Sequence, residues 1–479
     1  MTGRRALDEV VVDALAPQVL APVIGEERVA VIETAAHAAR AALHGRRIFN
    51  VNSTASGGGV AEMLQTLVAY GRGAGLDVRW LVIQGDPAFF AITKRIHNRL
   101  YGTAGDGGPL DSEERVVYER TLREHEDALR ALVKPGDVVL VHDPQPAGLI
   151  PALSAAGAVV IWRCHVGIDV HNEWSEGAWR FLRAYVDAAH ACVFTRRMFA
   201  PSWMADERVH VIAPSIDPFS TKNRELSPDE VHTILSHAGI IAGTPTTTVT
   251  FSRRDGSTGT ITRHADVLQT GPPPPPELPL VVQVSRWDHM KDMVGVMEGF
   301  VRHVDGTAGA HLMLVGPSVT GVTDDPEGAA VLDECIQRRH LLPHEARARV
   351  HLACLPMHDP DENATIVNAL QRHATVVVQK SLAEGFGLTV VEAMWKARPV
   401  VASRVGGIAD QIADGEHGLL IDDPLDLAAF GGAVRSILES PTLAARLGAA
   451  ARERARNEFL GDRHLEKWGE LFVRCVADA

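Results

Sequence analysis

Short runs of β-branched and aliphatic residues recur along this chain, and helical spacing separates most of them from the next. Few patterns constrain a fold more. A strand, a crossover helix and a second strand in one sheet leave the strands parallel, with helices on the sheet faces. In the first half the runs are Ile48 to Val51, Val78 to Ile83, Asp137 to His142, Ala158 to Arg163, Ala191 to Thr195 and Val209 to Ile212. In the second they are Val281 to Ser285, Leu312 to Val315, Arg349 to Leu352, Thr375 to Val378, Pro399 to Ala402 and Gly418 to Ile421. Helices are predicted over Glu33 to Leu43, Val60 to Gly71, Ser112 to Leu132, Glu176 to Ala188, Leu388 to Lys396, Pro424 to Leu438, Thr442 to Asn457 and Arg463 to Val476. On Val60 to Gly71 the apolar positions Val60, Met63, Leu64, Leu67 and Val68 share one face. The prediction is an α/β protein of two Rossmann-like, doubly wound domains with a cleft between them.

The expected divisions are an N-terminal domain over 1–235 and an insertion with a linker over 236–278. A second α/β domain follows over 279–460, and a last helix over 461–479 crosses back to the first domain. Residues before Glu33 read as an irregular lead-in. Asp217-Pro218 closes the first run of strands. Within the insertion, Thr246 to Arg263 has the look of a polar hairpin around D-G-S-T-G, and the prolines Pro272 to Pro276 hold an extended connection. A ligand-gated flap is the alternative reading of that hairpin.

Charge and cysteine usage narrow the function. The 479 residues carry a formal net charge of −13, which opposes a nucleic-acid surface. A phosphate ligand would therefore need a local group of cations or amides. The five cysteines form no Cys-x-x-Cys pair and their number is odd, as suits reduced thiols. The start, M-T-G-R-R-A-L-D-E-V, has no apolar core of signal-peptide length, and no apolar run approaches a membrane span. A cytoplasmic protein is expected.

Four groups at strand ends could carry chemistry. The stretch S-L-A-E-G-F-G-L-T-V-V-E-A-M, Ser381 to Met394, sits between a strand and a helix. Its glycines, Gly385 and Gly387, let the backbone approach a ligand, and the amides of Leu388 and Thr389 open the helix toward it. Glu384 and Glu392 flank them. Thr389 and Glu392 also have capping-box spacing, so Glu392 can be read as a helix cap instead. Arg286 and Lys291 lie in S-R-W-D-H-M-K directly after a strand, a fork and a point charge suited to one phosphate-bearing ligand. Gly57, Gly58 and Gly59 precede a helix and suit close approach to a phosphate or sugar, but also a plain turn. In R-C-H-V-G-I-D, His165 is placed to donate to a sugar hydroxyl or to serve structure alone. Two cations, an amide-lined loop and two carboxylates together suit a nucleoside diphosphate sugar, whose departure builds negative charge that fixed donors stabilise.

These residues carry a resemblance. The Arg286/Lys291 pair, the E-x7-E element from Glu384 to Glu392 and V-G-G-I at Val405 to Ile408 resemble the retaining glycosyltransferases of family 4, in the glycogen-synthase-like GT-B superfamily. Longer strings are similar to trehalose synthases of the glycosyltransferring type: V-N-S-T-x-x-G-G-G-V-A-E-M, V-I-Q-G-D-P-A-F-F-x-x-T-K, W-R-C-H, P-S-I-D-P, D-D-P-E-G and E-G-F-G-L-T-V-V-E-A-M-W-K. The resemblance implies that Arg286 and Lys291 bind the diphosphate, Glu392 the ribose, Glu384 and His165 the transferred sugar, and Gly58 and Gly59 the phosphate side. Asn52, Gln84 and Asp86 would meet the acceptor. It implies transfer of glucose from a nucleoside diphosphate glucose to free glucose, giving an α,α-1,1 link with retention. No cofactor is required, and Mg2+ enters at most as a stimulant. Neither nucleic acid nor membrane is a partner, and a homodimer is the one assembly allowed for.

Three alternatives stay open: a retaining trehalose phosphorylase, a transferase with a cyclitol or aminosugar acceptor, and a non-catalytic sugar-nucleotide sensor. The sequence also departs from the family pattern. Its insertion is long, Asp292 follows Lys291 where glycine is usual, and Gly167 lengthens the segment after His165.

Overall fold

The computed structural model describes residues 7–55, 58–244, 248–253, 256–304, 306–319 and 326–477. It divides into two units, one of Met1–Ile216, Glu384–Phe386 and Phe459–Ala479, the other of Asp217–Ala383 and Gly387–Glu458.

The first unit is built on a seven-stranded sheet of order β1-β3-β2-β4-β5-β6-β7. The strands are β1 (Leu7–Val10), β2 (Ile48–Asn52), β3 (Val78–Ile83), β4 (Val138–His142), β5 (Val159–Cys164), β6 (Ala191–Phe194) and β7 (Val209–Val211). All pairs are parallel except β1 with β3, where Leu7 faces Ile83 and Val10 faces Trp80. Strands β2, β4, β5 and β6 are buried at every position. Helices cover both faces of such a sheet, which is why these strands read as unbroken apolar runs.

On one face Phe89, Tyr118, Trp162, Trp179 and Phe181 pack together. On the other, Trp80, Leu64, Trp468 and Phe472 form the core, and the helix Gly461–Ala477 packs there beside Glu26–Leu43. Arg28 Nε donates to Asp462 Oδ2 at 2.8 Å between those two helices. The chain leaves β2 for β3 on one side and returns to β4 on the other. That reversal opens a crevice at the carboxyl ends of β2 and β4.

Two expectations for this unit are corrected. The lead-in contains strand β1, and the first long helix begins at Glu26, seven residues before Glu33. Val29 and Ile32 extend the buried stripe of Ala36, Ala39 and Leu43, so burial reaches back to a start at Gly25.

The second unit repeats the design. Its sheet runs β10-β13-β12-β11-β14-β15-β16. A separate two-stranded hairpin joins β8 (Thr250–Ser252) to β9 (Thr258–Thr260). The sheet strands are β10 (Asp266–Leu268), β11 (Leu280–Val284), β12 (His311–Pro317), β13 (Val350–Leu355), β14 (Val376–Gln379), β15 (Val400–Ser403) and β16 (Leu419–Ile421). Here the reversal lies between β11 and β14.

This unit begins at Asp217, so the segment 236–278, expected as an insertion and linker, lies within it. Its strand β10 lies antiparallel to β13 and covers the sheet edge. Its hairpin is tied down by Arg253 to Asp359 at 2.8 Å and by Glu362 Oε1, which accepts from the amides of Thr262 and Arg263 at 2.6 and 3.0 Å. Thr246 and Asp255 of that hairpin lie outside the described residues, as do Gly57 and the aspartates of D-D-P-E-G. No helix among the described residues is long and apolar enough to cross a membrane.

Candidate active site

In the second unit the loop after β11 carries Arg286 and Lys291. Trp287, 1% exposed, pins it by donating Nε1–H to the Pro317 carbonyl at 2.9 Å. Asp288 caps the short turn His289–Lys291 by accepting from the Met290 amide at 2.8 Å, and its other oxygen meets Arg286 Nη2 at 3.1 Å. Gln283, buried in β11, donates to the Lys291 carbonyl at 2.8 Å. The loop after β14 is stitched to this one, because the Leu382 amide donates to the Met290 carbonyl at 2.8 Å. The Lys291 loop and the start of the glycine loop are thus one hydrogen-bonded assembly at the reversal point of the sheet.

Asp292 makes the tightest part of that assembly. It has φ +47°, a left-handed conformation that glycine adopts at little cost. Two interactions offset the strain. Its carboxylate caps the helix Met293–His303 by accepting from the Gly295 amide at 3.1 Å, and it pairs with the fully buried ammonium of Lys380. The departure from glycine thus has a physical counterpart in Lys380. Asp292→Ala is expected to lower unfolding free energy by about 3 kcal/mol or more, since it strands a buried ammonium. Asp292→Gly, which removes the backbone strain, is expected to fall between Ala and wild type in urea denaturation. Equal losses in both would show that the strain is not felt.

The helix Leu388–Trp395 begins after Gly387, at φ +88°, and has no side-chain cap. Its first-turn amides are left without one. The capping-box reading is not supported by the geometry: Thr389 lies inside the helix and its hydroxyl donates to Gln379 Oε1 at 3.0 Å. Glu392 sits mid-helix, 2% exposed, 3.6 Å from Lys222 Nζ. Its Oε2 is buried and finds no hydrogen-bond partner among the described residues. A buried carboxylate oxygen in that state is costly in a structure that serves only itself.

The loop residues Glu384–Phe386 belong to the first unit. Glu384 is half-buried. A Cβ at Gly385 would lie 2.5 Å from the His165 carbonyl oxygen and 2.9 Å from the Tyr101 hydroxyl, so close approach requires glycine there. Gly167 is similarly packed, its Cβ position 2.3 Å from the Phe199 ring. Gly58 has φ +134° and Gly59 opens the helix Gly59–Gly73; both are exposed. Nothing would crowd a Cβ at Gly58, so its glycine answers a backbone need alone.

The residues expected at the acceptor are held within the unit. Asn52 accepts from Trp80 Nε1 at 2.8 Å and donates to the Thr54 carbonyl at 2.7 Å. Gln84 Nε2 donates to Asp8 Oδ2 of β1 at 2.6 Å. Asp86 caps the helix Pro87–Leu100 by accepting from the Phe89 amide at 2.8 Å.

Around His165 lies a group that the sequence reading passed over. Asp143, at φ +65° after β4, accepts from the His165 amide at 2.7 Å. Burial pushes the Asp143 carboxyl up to about 7. Arg163 is fully buried, and its guanidinium nitrogens find no hydrogen-bond partner among the described residues. Burial lowers it to about 10. Burial, then this guanidinium, drive His142 down to about 3 and His165 and His464 well below the ordinary imidazole range. The signal was available: Asn50, His142 and Arg163 are polar residues inside otherwise apolar strands, where an unpartnered side chain is expensive. Among the described residues no group of His, Cys, Asp or Glu is placed to hold a metal ion.

Residues 50–201 match the family model described as trehalose synthase, N-terminal domain, and residues 271–454 match glycosyl transferases group 1. The chain is 36% identical to a trehalose synthase of Rubrobacter xylanophilus over 437 residues, 91% of this chain and 92% of that one. It is 33% identical to a trehalose synthase of Pyrococcus horikoshii over 449 residues, 94% of each. Among solved structures it is similar to the trehalose-6-phosphate synthase OtsA, with a TM-score of 0.65 at 12% identity, over 90% of this chain and 99% of that one. That likeness is one of fold, and the fold is GT-B.

Proposed function

Because the chain belongs to the trehalose synthase family and is a glycosyltransferase of trehalose metabolism, we propose that it moves glucose from a nucleoside diphosphate glucose to free glucose. The product is the α,α-1,1-linked disaccharide, with retention at the donor carbon. The observation that carries this reading is the stitched pair of loops in the second unit. They hold Arg286 and Lys291 on a loop bonded to Leu382, and in the same unit Gly387 leads to an uncapped helix start. Cations and amides of that kind suit a diphosphate.

In the reaction the C1–O bond to the diphosphate breaks as the acceptor O1–C1 bond forms on the same face. The acceptor proton passes to the departing phosphate oxygen. Charge grows on the diphosphate, where Arg286 and Lys291 act as fixed donors. Glu392 accepts from the ribose hydroxyls, which gives its unpartnered oxygen a ligand. Glu384 and His165 hold the transferred glucose, and Gly58 and Gly59 line the phosphate side. The chemistry needs no cofactor, and Mg2+ at most stimulates it.

The test is product analysis. ADP-, UDP- and GDP-glucose are each offered with glucose, and a non-reducing disaccharide is expected from at least one. A reducing product, or an absolute need for inorganic phosphate, would overturn the reading. Glu392→Gln is expected to weaken nucleotide diphosphate binding by about 10-fold, on the scale of one charge-assisted hydrogen bond, with the melting temperature nearly unchanged. Calorimetric titration beside a thermal melt checks this. A lowered melting temperature with affinity intact would leave Glu392 a purely structural role.

A further inference from the structure

Three side chains on β2, β4 and the loop after β5 form a hydrogen-bonded chain that ends at His165. His142 Nε2 lies 3.0 Å from Asn50 Oδ1, and His142 Nδ1 lies 3.2 Å from His165 Nε2. The two imidazoles are within 14° of parallel. Asn50 and His142 are 5% and 1% exposed, whereas His165 keeps part of its surface open. His165 Nδ1 has no hydrogen-bond partner among the described residues. An apolar cavity of about 60 Å3, lined by Leu140, Leu465, Trp468 and Phe472, backs Asn50 and His142.

The proton positions follow from donor and acceptor chemistry. Asn50 Nδ2 donates to the Arg79 carbonyl at 3.4 Å, an oxygen that only accepts. The Asn50 atom facing His142 is therefore its oxygen, and His142 must donate to it from Nε2. Buried beside the Arg163 guanidinium, His142 is neutral. A neutral imidazole carries one proton, so His142 Nδ1 is an acceptor. His165 must then donate from Nε2, and, being neutral too, keeps a lone pair on Nδ1.

We propose that Asn50 and His142 are positioning residues that hold His165 as its Nε2–H tautomer, so that Nδ1 accepts a hydrogen bond from a hydroxyl of the transferred sugar. This reverses the donor role expected of His165 from sequence. The last link rests on the reading above, that His165 touches the sugar; the tautomer does not.

The experiment has two arms. The first labels histidine with 15N and records long-range proton–nitrogen correlations on the free protein, with the His165 signals identified by their loss in His165→Gln. The expected pattern is a protonated Nε2 and an unprotonated Nδ1. Asn50→Leu is expected to mix the tautomers, and Asn50→Asp, which keeps the acceptor, to restore the pattern. A protonated Nδ1 in the wild type would overturn the relay, and this measurement needs no variant of Asn50 to fold.

The second arm measures binding of donor analogues in which each glucose hydroxyl is replaced by hydrogen or by fluorine, using the nucleotide that supports turnover. Fluorine can accept a hydrogen bond and cannot donate one. At one position both analogues are expected to bind about fivefold more weakly than the parent, and equally so, the scale of one neutral hydrogen bond. In His165→Ala that penalty is expected to vanish. Recovery of affinity by fluorine at the position whose penalty depends on His165 would overturn the acceptor role. An unprotonated Nδ1 in a protein that binds no nucleotide glucose would support the relay and overturn the sugar reading instead.

Discussion

Lys291→Ala and Arg286→Ala are each expected to lower kcat by about 10²-fold or more, the scale of removing one preorganised donor from developing charge. Stability is expected to change little. The Arg286 side chain is 47% exposed, and its pairing with Asp288 at 3.1 Å is of the solvent-screened kind that contributes little to folding. Arg286→Lys is expected to recover only part of the loss, because an ammonium cannot reproduce the planar fork. Steady-state kinetics with saturating donor, set beside thermal melts, check all three variants. Near wild-type rates in both alanine variants would remove the diphosphate clamp from the mechanism. The Asp292 variants add a control: Asp292 holds the Lys291 loop from behind, so its loss is expected to cost stability first.

Acid is expected to unfold the first unit sooner than an ordinary surface charge balance would. His142, His165 and His464 are held neutral by burial and by Arg163, with His142 at about 3. Unfolded, each binds a proton near the ordinary imidazole value of 6.5. As pH falls below that value the unfolded chain takes up three protons that the folded unit refuses, and stability drops. Asp143 works in the other direction. Its folded carboxyl titrates at about 7 against an unfolded value of 3.8, so between those values the folded unit holds one proton more. These imidazoles, with His190 and His210 also lowered by burial, outnumber the carboxyls Asp143 and Asp462 that burial raises, so the unfolded state is expected to hold more protons and stability to fall as pH drops below 6.5. Melting followed through the first unit's tryptophans from pH 7 to pH 4.5 measures it. A flat profile would mean that these imidazoles protonate inside the fold.

Much of this architecture was legible because parallel strands buried on both faces leave a plain trace in the chain. Val138–His142 and Val159–Cys164 are apolar at nearly every position, and their ends were placed within a residue or two. The edge strands β1 and β10 left no such trace. Each is short, antiparallel and half-exposed, with L-D-E-V and D-V-L as its whole text. The helix Pro87–Leu100 had a start signal in Asp86-Pro87, a cap followed by proline at the first turn. The family resemblance instead implies an acceptor contact for Asp86.

The candidate site divides in the same way. Residues in loops after strands, such as Arg286, Lys291 and Glu384, could be picked out by residue type and position. Asn50, His142 and Arg163 could not be joined to one another, because their contacts run across neighbouring strands. Only the strand order puts β2, β4 and β5 side by side.

The helix Gly461–Ala477 packs in the first unit against Glu26–Leu43, while almost all of Asp217–Glu458 forms the second. On the ribosome, then, the half that is translated early must wait. Its Trp80 and Leu64 stay uncovered by Trp468 and Phe472 until the later half has been threaded out and has had time to fold. A nascent chain halted near Glu458 should therefore hold a protease-resistant second unit beside a susceptible first one, and a chaperone that shields apolar surface has its longest task on the part made first.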